Sequence, residues 1–167
     1  MTNWYAVHTK PRQEATAEQN LQRQGFAIYS PKTLVRKLKR GKWVKVVEPL
    51  FPRYLFIQVD PDQQSLAPVR STIGVAGLVR FGQQLRPVPD AVITFLQQAE
   101  NPETRQHHAD EWPHHSGDAV QVLEGPFKGL TAIFQAATSE DRALLLIDLL
   151  GRQNTVDVAM DEIAAKP

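Results

Sequence analysis

Apolar and polar residues alternate from Trp4 to Thr9, which predicts a strand. Pro11 stands where a helix can open and Gly25 where it can close, with Ala17 and Leu21 four apart on one face between them. Phe26 to Tyr29 reads as a short second strand. Thr33 to Val47 reads as two strands joined near Arg40-Gly41. In the run Glu48-Pro49-Leu50-Phe51-Pro52-Arg53-Tyr54-Leu55-Phe56, and on to Val59, residues two apart share a face. Leu55, Ile57 and Val59 make an obvious core side. Tyr54, Phe56 and Gln58 make an aromatic side that needs a cover, either a helix of this chain or another protein. Further on, Leu66 to Ser71 predicts a short helix before Gly74, Leu78 to Phe81 a last strand, and Pro89 to Gln98 a helix with Val92, Ile93, Leu96 and Ala99 on one side. Strands and helices are mixed without strict alternation, so the expected class is α+β, a sheet covered by helices.

The stretch from Asn101 to Ser116 has two prolines, little apolar content and no period, and reads as a linker between domains at about 1–100 and 116–165. The second domain supports two local readings. As a β-barrel, Gly117 to Val122 and Thr131 to Ala137 are strands around the Gly125-Pro126 turn. As helices, Leu130, Ile133, Phe134 and Ala137 stand at i, i+3, i+4 and i+7, and Thr138-Ser139-Glu140-Asp141 fits a capping box ahead of Leu144 to Leu150, with Gly151 as the expected stop.

Charge sharpens this division. The whole chain carries a net charge of +1, yet residues 1–100 hold 14 Lys and Arg against 7 Asp and Glu, and residues 101–167 hold 5 against 11. A basic first domain suits a polyanion, and an acidic second domain can dock on it. Between Arg36 and Lys45 lie six basic residues and no acid. That hairpin can hold duplex DNA through its phosphates, or serve as a lysine-protected edge. The chain has no cysteine, which excludes disulfides, thiolate metal sites and cysteine nucleophiles and suits a reducing cytoplasm. Met1-Thr2-Asn3-Trp4 carries no basic region before an apolar segment, and no apolar run reaches bilayer length, so neither secretion nor membrane insertion is expected. No nucleophile elbow or phosphate-cradling glycine motif occurs. His8 is isolated, and His107, His108, His114 and His115 fall in the linker, where solvated histidines are the expectation over a metal site. These features point to a regulator without catalytic activity, cofactor or metal.

Taken in order, Trp4-Tyr5, Arg40-Gly41-Lys42, Glu48 to Phe56, Arg70 to Gly74, Val79-Arg80-Phe81-Gly82 and the spaced Gly117, Asp118, Val120, Val122, Gly125, Pro126, Phe127 and Gly129 resemble the NusG family of transcription elongation factors. The versions of Arg40-Gly41-Lys42, Glu48 to Pro52 and Val79 to Gly82 are most similar to its specialised antiterminator branch, typified by RfaH. The resemblance implies an N-terminal NGN domain of ferredoxin-like type and a C-terminal KOW domain. In that branch the KOW domain is an α-helical hairpin when docked and a β-barrel when released.

It also implies partners. Leu50, Phe51, Tyr54, Phe56, Ile93 and Leu96 match a pocket for the clamp helices of bacterial RNA polymerase. Lys10, Gln13, Asn20, Arg23, Gln24, Thr72, Gly74 and Val75 match positions that read nontemplate single-stranded DNA in the transcription bubble. Glu48, Phe134, Arg142, Leu145 and Leu149 match the interdomain contact, with Glu48 and Arg142 as an ion pair. A small-subunit ribosomal protein is a further candidate partner, and a monomer is expected. The chain departs from the RfaH branch at Ser65-Leu66-Ala67, where that branch has a His-Thr-Thr run facing a second polymerase element, and at Thr16, Asn20 and Ile73. Two other readings stay open: a housekeeping factor of NusG type with a permanently β second domain, and a KOW-bearing RNA or ribosome binder.

Overall fold

The computed structural model describes residues 2–81, 85–100, 106–107, 133, 136 and 138–163, with side chains of the last helix described through Gly151. Its elements are β1 (Asn3–Thr9), α1 (Glu14–Arg23), β2 (Ala27–Tyr29), β3 (Lys32–Lys39), β4 (Lys42–Pro49), β5 (Tyr54–Val59), α2 (Ala67–Arg70), β6 (Val75–Leu78), α3 (Asp90–Gln98) and α4 (Ser139–Ile163). Four strands form an antiparallel sheet in the order β2-β5-β1-β6, and β3 with β4 forms a separate hairpin. With the hairpin set aside, the chain runs β-α-β-β-α-β in the ferredoxin-like pattern.

Local chemistry accounts for most of these boundaries. The C-terminal end of α1 is a Schellman motif: Phe26 N donates to Leu21 O at 3.2 Å, Gly25 N donates to Gln22 O at 2.9 Å, and Gly25 takes φ +91°. Phe26 and Leu21 are both buried in the same cluster, which supplies the apolar contact that usually accompanies this motif. The hairpin turns on Arg40 (φ 51°) and Gly41 (φ 76°), the two left-handed residues a tight two-residue turn requires.

Three expectations are corrected. Pro11 lies in a turn and not in the first turn of α1, because Arg12 at φ 62° breaks helical geometry before Glu14. The last sheet strand is Val75–Leu78, earlier than Leu78 to Phe81, because its pairing with β1 sets Val75 opposite Thr9 and Leu78 opposite Val7, with a bulge between His8 and Thr9. Gly151 does not stop α4, which runs on to Ile163.

Both faces of the sheet are covered. On one, Tyr5, Val7, Leu55, Ile57 and Val59 pack with Ala17 and Leu21 of α1, Val69 of α2, and Phe26 and Val75. On the other, Ala6 and Phe56 pack with Leu50, Phe51, Val88 and the buried side of α3, namely Val92, Ile93, Phe95 and Leu96. That second cluster is completed by Ile133 and by Ala143, Leu146, Leu149 and Leu150 of α4.

Two features concern the region after residue 100. His107, expected to be solvated in the linker, is fully buried. Its backbone docks beside β3, with His107 N donating to Lys32 O at 2.7 Å and Leu34 N donating to His107 O at 2.8 Å. An edge strand carries unpaired backbone groups, and this segment satisfies some of them. Ile133 is helical, and Ala136 N donates to Ile133 O at 3.2 Å. Gly117 to Val122, the linker histidines other than His107, and Phe134 lie outside the described residues.

A covered apolar surface and a polar loop cluster

The apolar surface begins with β5. Its pleat sends Leu55, Ile57 and Val59 toward α1 and Phe56 to the opposite side. The turn before β5 holds Arg53 at φ 73°, and its backbone carbonyl accepts from Thr9 N at 2.8 Å. That turn delivers Leu50 and Phe51 to the same side as Phe56, with the two phenyl rings edge to face at 6.4 Å. From α3, Ile93 and Leu96 complete the group. Of the six residues expected here, Leu50, Phe51, Phe56, Ile93 and Leu96 are buried, and Tyr54 is half-buried and stacked on His8 at 5.0 Å. Burial, and then the charge of Arg53, hold the His8 pKa below its ordinary value. Beside the group, the Tyr29 hydroxyl donates to Glu100, and burial followed by this bond pushes the phenol pKa far up.

What covers this surface is α4. Thr138 caps the helix by accepting the Asp141 amide on its hydroxyl at 3.1 Å, the first half of a capping box. Arg142, Ala143, Leu146, Leu149 and Leu150 are buried at helical spacing, while Glu140, Asp141, Leu144 and Asp148 face solvent. Leu145 is half-buried against the same cluster. Sequence reasoning missed Ala143, Leu146 and Leu150, because a run with leucines at 144, 145, 146, 149 and 150 does not reveal its own phase. The structure sets the phase, with the Arg142 cation taken inside where acceptors wait.

Arg142, 5% exposed, reaches back to the turn before β5, its Nε donating to Leu50 O at 3.2 Å and a terminal nitrogen to Ser139 Oγ at 2.7 Å. Glu48, the expected partner of Arg142, is ion-paired with Lys37 across the hairpin.

The eight residues expected at a DNA face converge on α1 and the loop before β6. Lys10 N donates to Gly74 O at 2.9 Å, and Asn20 Nδ2 donates to Ile73 O at 3.3 Å. Gln24 Nε2 donates to Asn20 O and to Thr72 Oγ1, the latter at 2.8 Å. Gly74, at φ +96°, lies so close to α1 that a Cβ there would stand 2.8 Å from Ala17 N. The roles within the cluster differ, however. The Thr72 side chain is buried and its hydroxyl donates to Pro68 O at 2.7 Å, and Val75 belongs to the core. Lys10, Arg23 and Gln24 are exposed, and so is Ile73 at 72%.

No described helix is long and apolar enough to cross a membrane, and no described group of three or more His, Asp or Glu side chains is placed to hold a metal ion.

Against this geometry, a family model described as transcription termination factor nusG matches residues 2–97, the span that holds the whole sheet and all but the last residue of α3. The chain belongs to the NusG family. Among relatives, the transcription termination/antitermination protein NusG of Thermus thermophilus is 30% identical over 179 residues, covering 96% of each chain. The protein of the same name from Deinococcus radiodurans is 28% identical over 187 residues, covering 96% of this chain and 97% of its own. A solved structure titled as domain interaction in Thermotoga maritima NusG overlaps 59% of this chain and 56% of its own, at 23% identity and a TM-score of 0.36. That overlap is too low to transfer a domain arrangement from one NusG protein to the other.

Proposed function

We propose that this NusG-family chain is an operon-specific elongation and antitermination factor of the RfaH type, which docks on the clamp helices of bacterial RNA polymerase and suppresses pausing and termination. The observation that carries this reading is the apolar surface of Leu50, Phe51, Phe56, Ile93 and Leu96, flanked by Tyr54 and closed by α4 from the far end of the chain. A surface of aromatic and aliphatic side chains on a sheet face accepts a helical partner at low entropic cost, and it accepts α4 by the same chemistry. The two occupants then exclude each other. A factor whose docking surface is covered by its own helix binds polymerase only after that helix is released, which suits recruitment at selected sites. Release of the cover frees the second domain to take a KOW-type barrel, for which the spaced glycines and valines after Gly117 are suited. Nontemplate DNA is assigned to the outward side of the α1 cluster, with Lys10 and Arg23 on phosphates and Asn20 and Gln24 near base edges. Thr72, Gly74 and Val75 hold that cluster in shape.

The test is binding of a clamp-helix fragment to the full-length protein and to variants. Tyr54→Ala should weaken binding about thirtyfold, the usual loss for an aromatic anchor, while the protein stays folded. Leu146→Asp, which expels α4, should strengthen it. Unchanged affinity in a folded Tyr54→Ala protein would falsify the docking surface. Equal affinity with and without Leu146→Asp would remove the masking and favour the housekeeping factor.

A further inference from the structure

The β3–β4 hairpin is the one described region where exposed large apolar side chains gather. Leu38, Trp43, Val44 and Val47 all stand on it, and among the described residues the other exposed large apolar side chains are Ile73 and Leu144. Strand pairing decides which of them act together. Leu38 lies opposite Trp43, Arg36 opposite Lys45 and Leu34 opposite Val47. Cross-strand partners project to the same side, and so do residues two apart, so these six side chains share one face of the ribbon. Along that face a cationic pair is set between two apolar pairs. On it the Arg36 guanidinium carbon sits 5.6 Å from the centroid of the Trp43 ring, a cation–π contact that orients the indole while leaving it 63% exposed. Lys39, Arg40 and Lys42 crowd the adjoining tip.

This combination narrows the partner. An apolar protein surface would have to bury several cations without acids to meet them, which is unfavourable. Duplex DNA meets the cations with phosphates, but its bases are stacked on one another and give the indole no ring to cover. A single strand supplies one phosphate per nucleotide and an unstacked π-face beside it, and aromatic side chains set among cations are how proteins hold such strands. We propose that this face of the hairpin binds single-stranded nucleic acid, with a base stacked on Trp43 and the neighbouring phosphates held by Arg36 and Lys45, with Arg40 at the tip. The strip is separate from the α1 cluster, and it stands whether or not the protein docks on polymerase.

The experiment titrates the full-length protein into labelled oligothymidylate, read by anisotropy at several salt concentrations and by tryptophan emission. Binding should quench emission, and the difference between wild type and Trp43→Ala isolates the hairpin indole from Trp4 and Trp112. Trp43→Ala should weaken single-strand binding about tenfold with an unchanged salt slope, and Trp43→Phe should recover most of the loss. Arg36→Ala combined with Lys45→Ala should instead flatten the slope of log affinity against log salt by about 1.4. A blunt duplex of equal length should bind wild type and Trp43→Ala alike, and the same titration with oligouridylate assigns the strand to DNA or RNA. The proposal is overturned by unchanged single-strand affinity in Trp43→Ala, by an equal loss on the duplex, or by failure of the wild type to bind either single strand at low salt. Trp43 is exposed on a peripheral ribbon, so the substitution leaves both core clusters intact, and a melting curve checks that it does.

Discussion

The two faces of the central sheet are closed in different ways. The face bearing Leu55, Ile57 and Val59 is sealed by α1 and α2, which lie next to its strands in the chain, and its buried cluster is complete by Val75. The face bearing Phe56 has α3 over part of it and takes the rest of its cover from α4, which begins more than forty residues after α3 ends. A cover that is local in sequence closes with little loop entropy and cannot leave without unravelling the strands beside it. A cover on a long connection is held by its contacts alone, so a competitor of similar apolar character can replace it. The locally closed face and the distantly closed face are thus made from the same strand, one residue out of phase.

Substitutions on the two faces should separate these behaviours. Leu55→Ala, on the locally closed face, should cost about 2–5 kcal/mol of global stability, seen as a single shifted denaturation transition. Leu146→Ala removes a comparable side chain from the other face, but its loss is capped by the docking free energy of α4. Hydrogen exchange should therefore accelerate in α4 and around Phe56 while β1 and α1 stay protected; uniform acceleration would mean that the two faces are one cooperative unit.

Arg142→Ala removes a charged donor from the Leu50 carbonyl and should loosen α4 by about 1.5–3 kcal/mol, read as faster exchange in α4 and tighter binding of a competing clamp-helix fragment. If α4 exchanges as slowly as before, apolar contact alone holds the cover. The smallest change goes the other way. Gly151 lies within α4, where a Cβ would meet the Phe81 ring at an ordinary 3.5 Å. Gly151→Ala should strengthen the helix by about 1 kcal/mol and deepen the masking, a gain visible as more helical circular dichroism at intermediate denaturant.

Period and punctuation carried much of the fold. The alternation along Trp4 to Thr9 and Tyr54 to Val59, the Gly25 stop and the Arg40-Gly41 turn are local features, and the chain adopts them because backbone sterics and a two-residue pleat act over a few positions. The candidate apolar surface was legible for a related reason: Phe56 had to point away from Leu55 and Ile57, so a second face was certain to need a cover.

What covers that face was decided in three dimensions. Gly151 reads as a stop signal, yet the helix continues through it, because tertiary packing outweighs about 1 kcal/mol of local propensity. His107 reads as a solvated linker residue, yet backbone hydrogen bonds to β3 draw it fully inside. Thr72 matches a DNA-reading position by resemblance, and the fold engages its hydroxyl with Pro68 and Gln24. By itself the sequence determined which surfaces are apolar and which are basic, since those follow from residue type and period. Only the tertiary structure decided which phase of the leucine run faces Phe56 and which polar groups are already engaged, because both depend on partners that are distant in the chain and selected by packing.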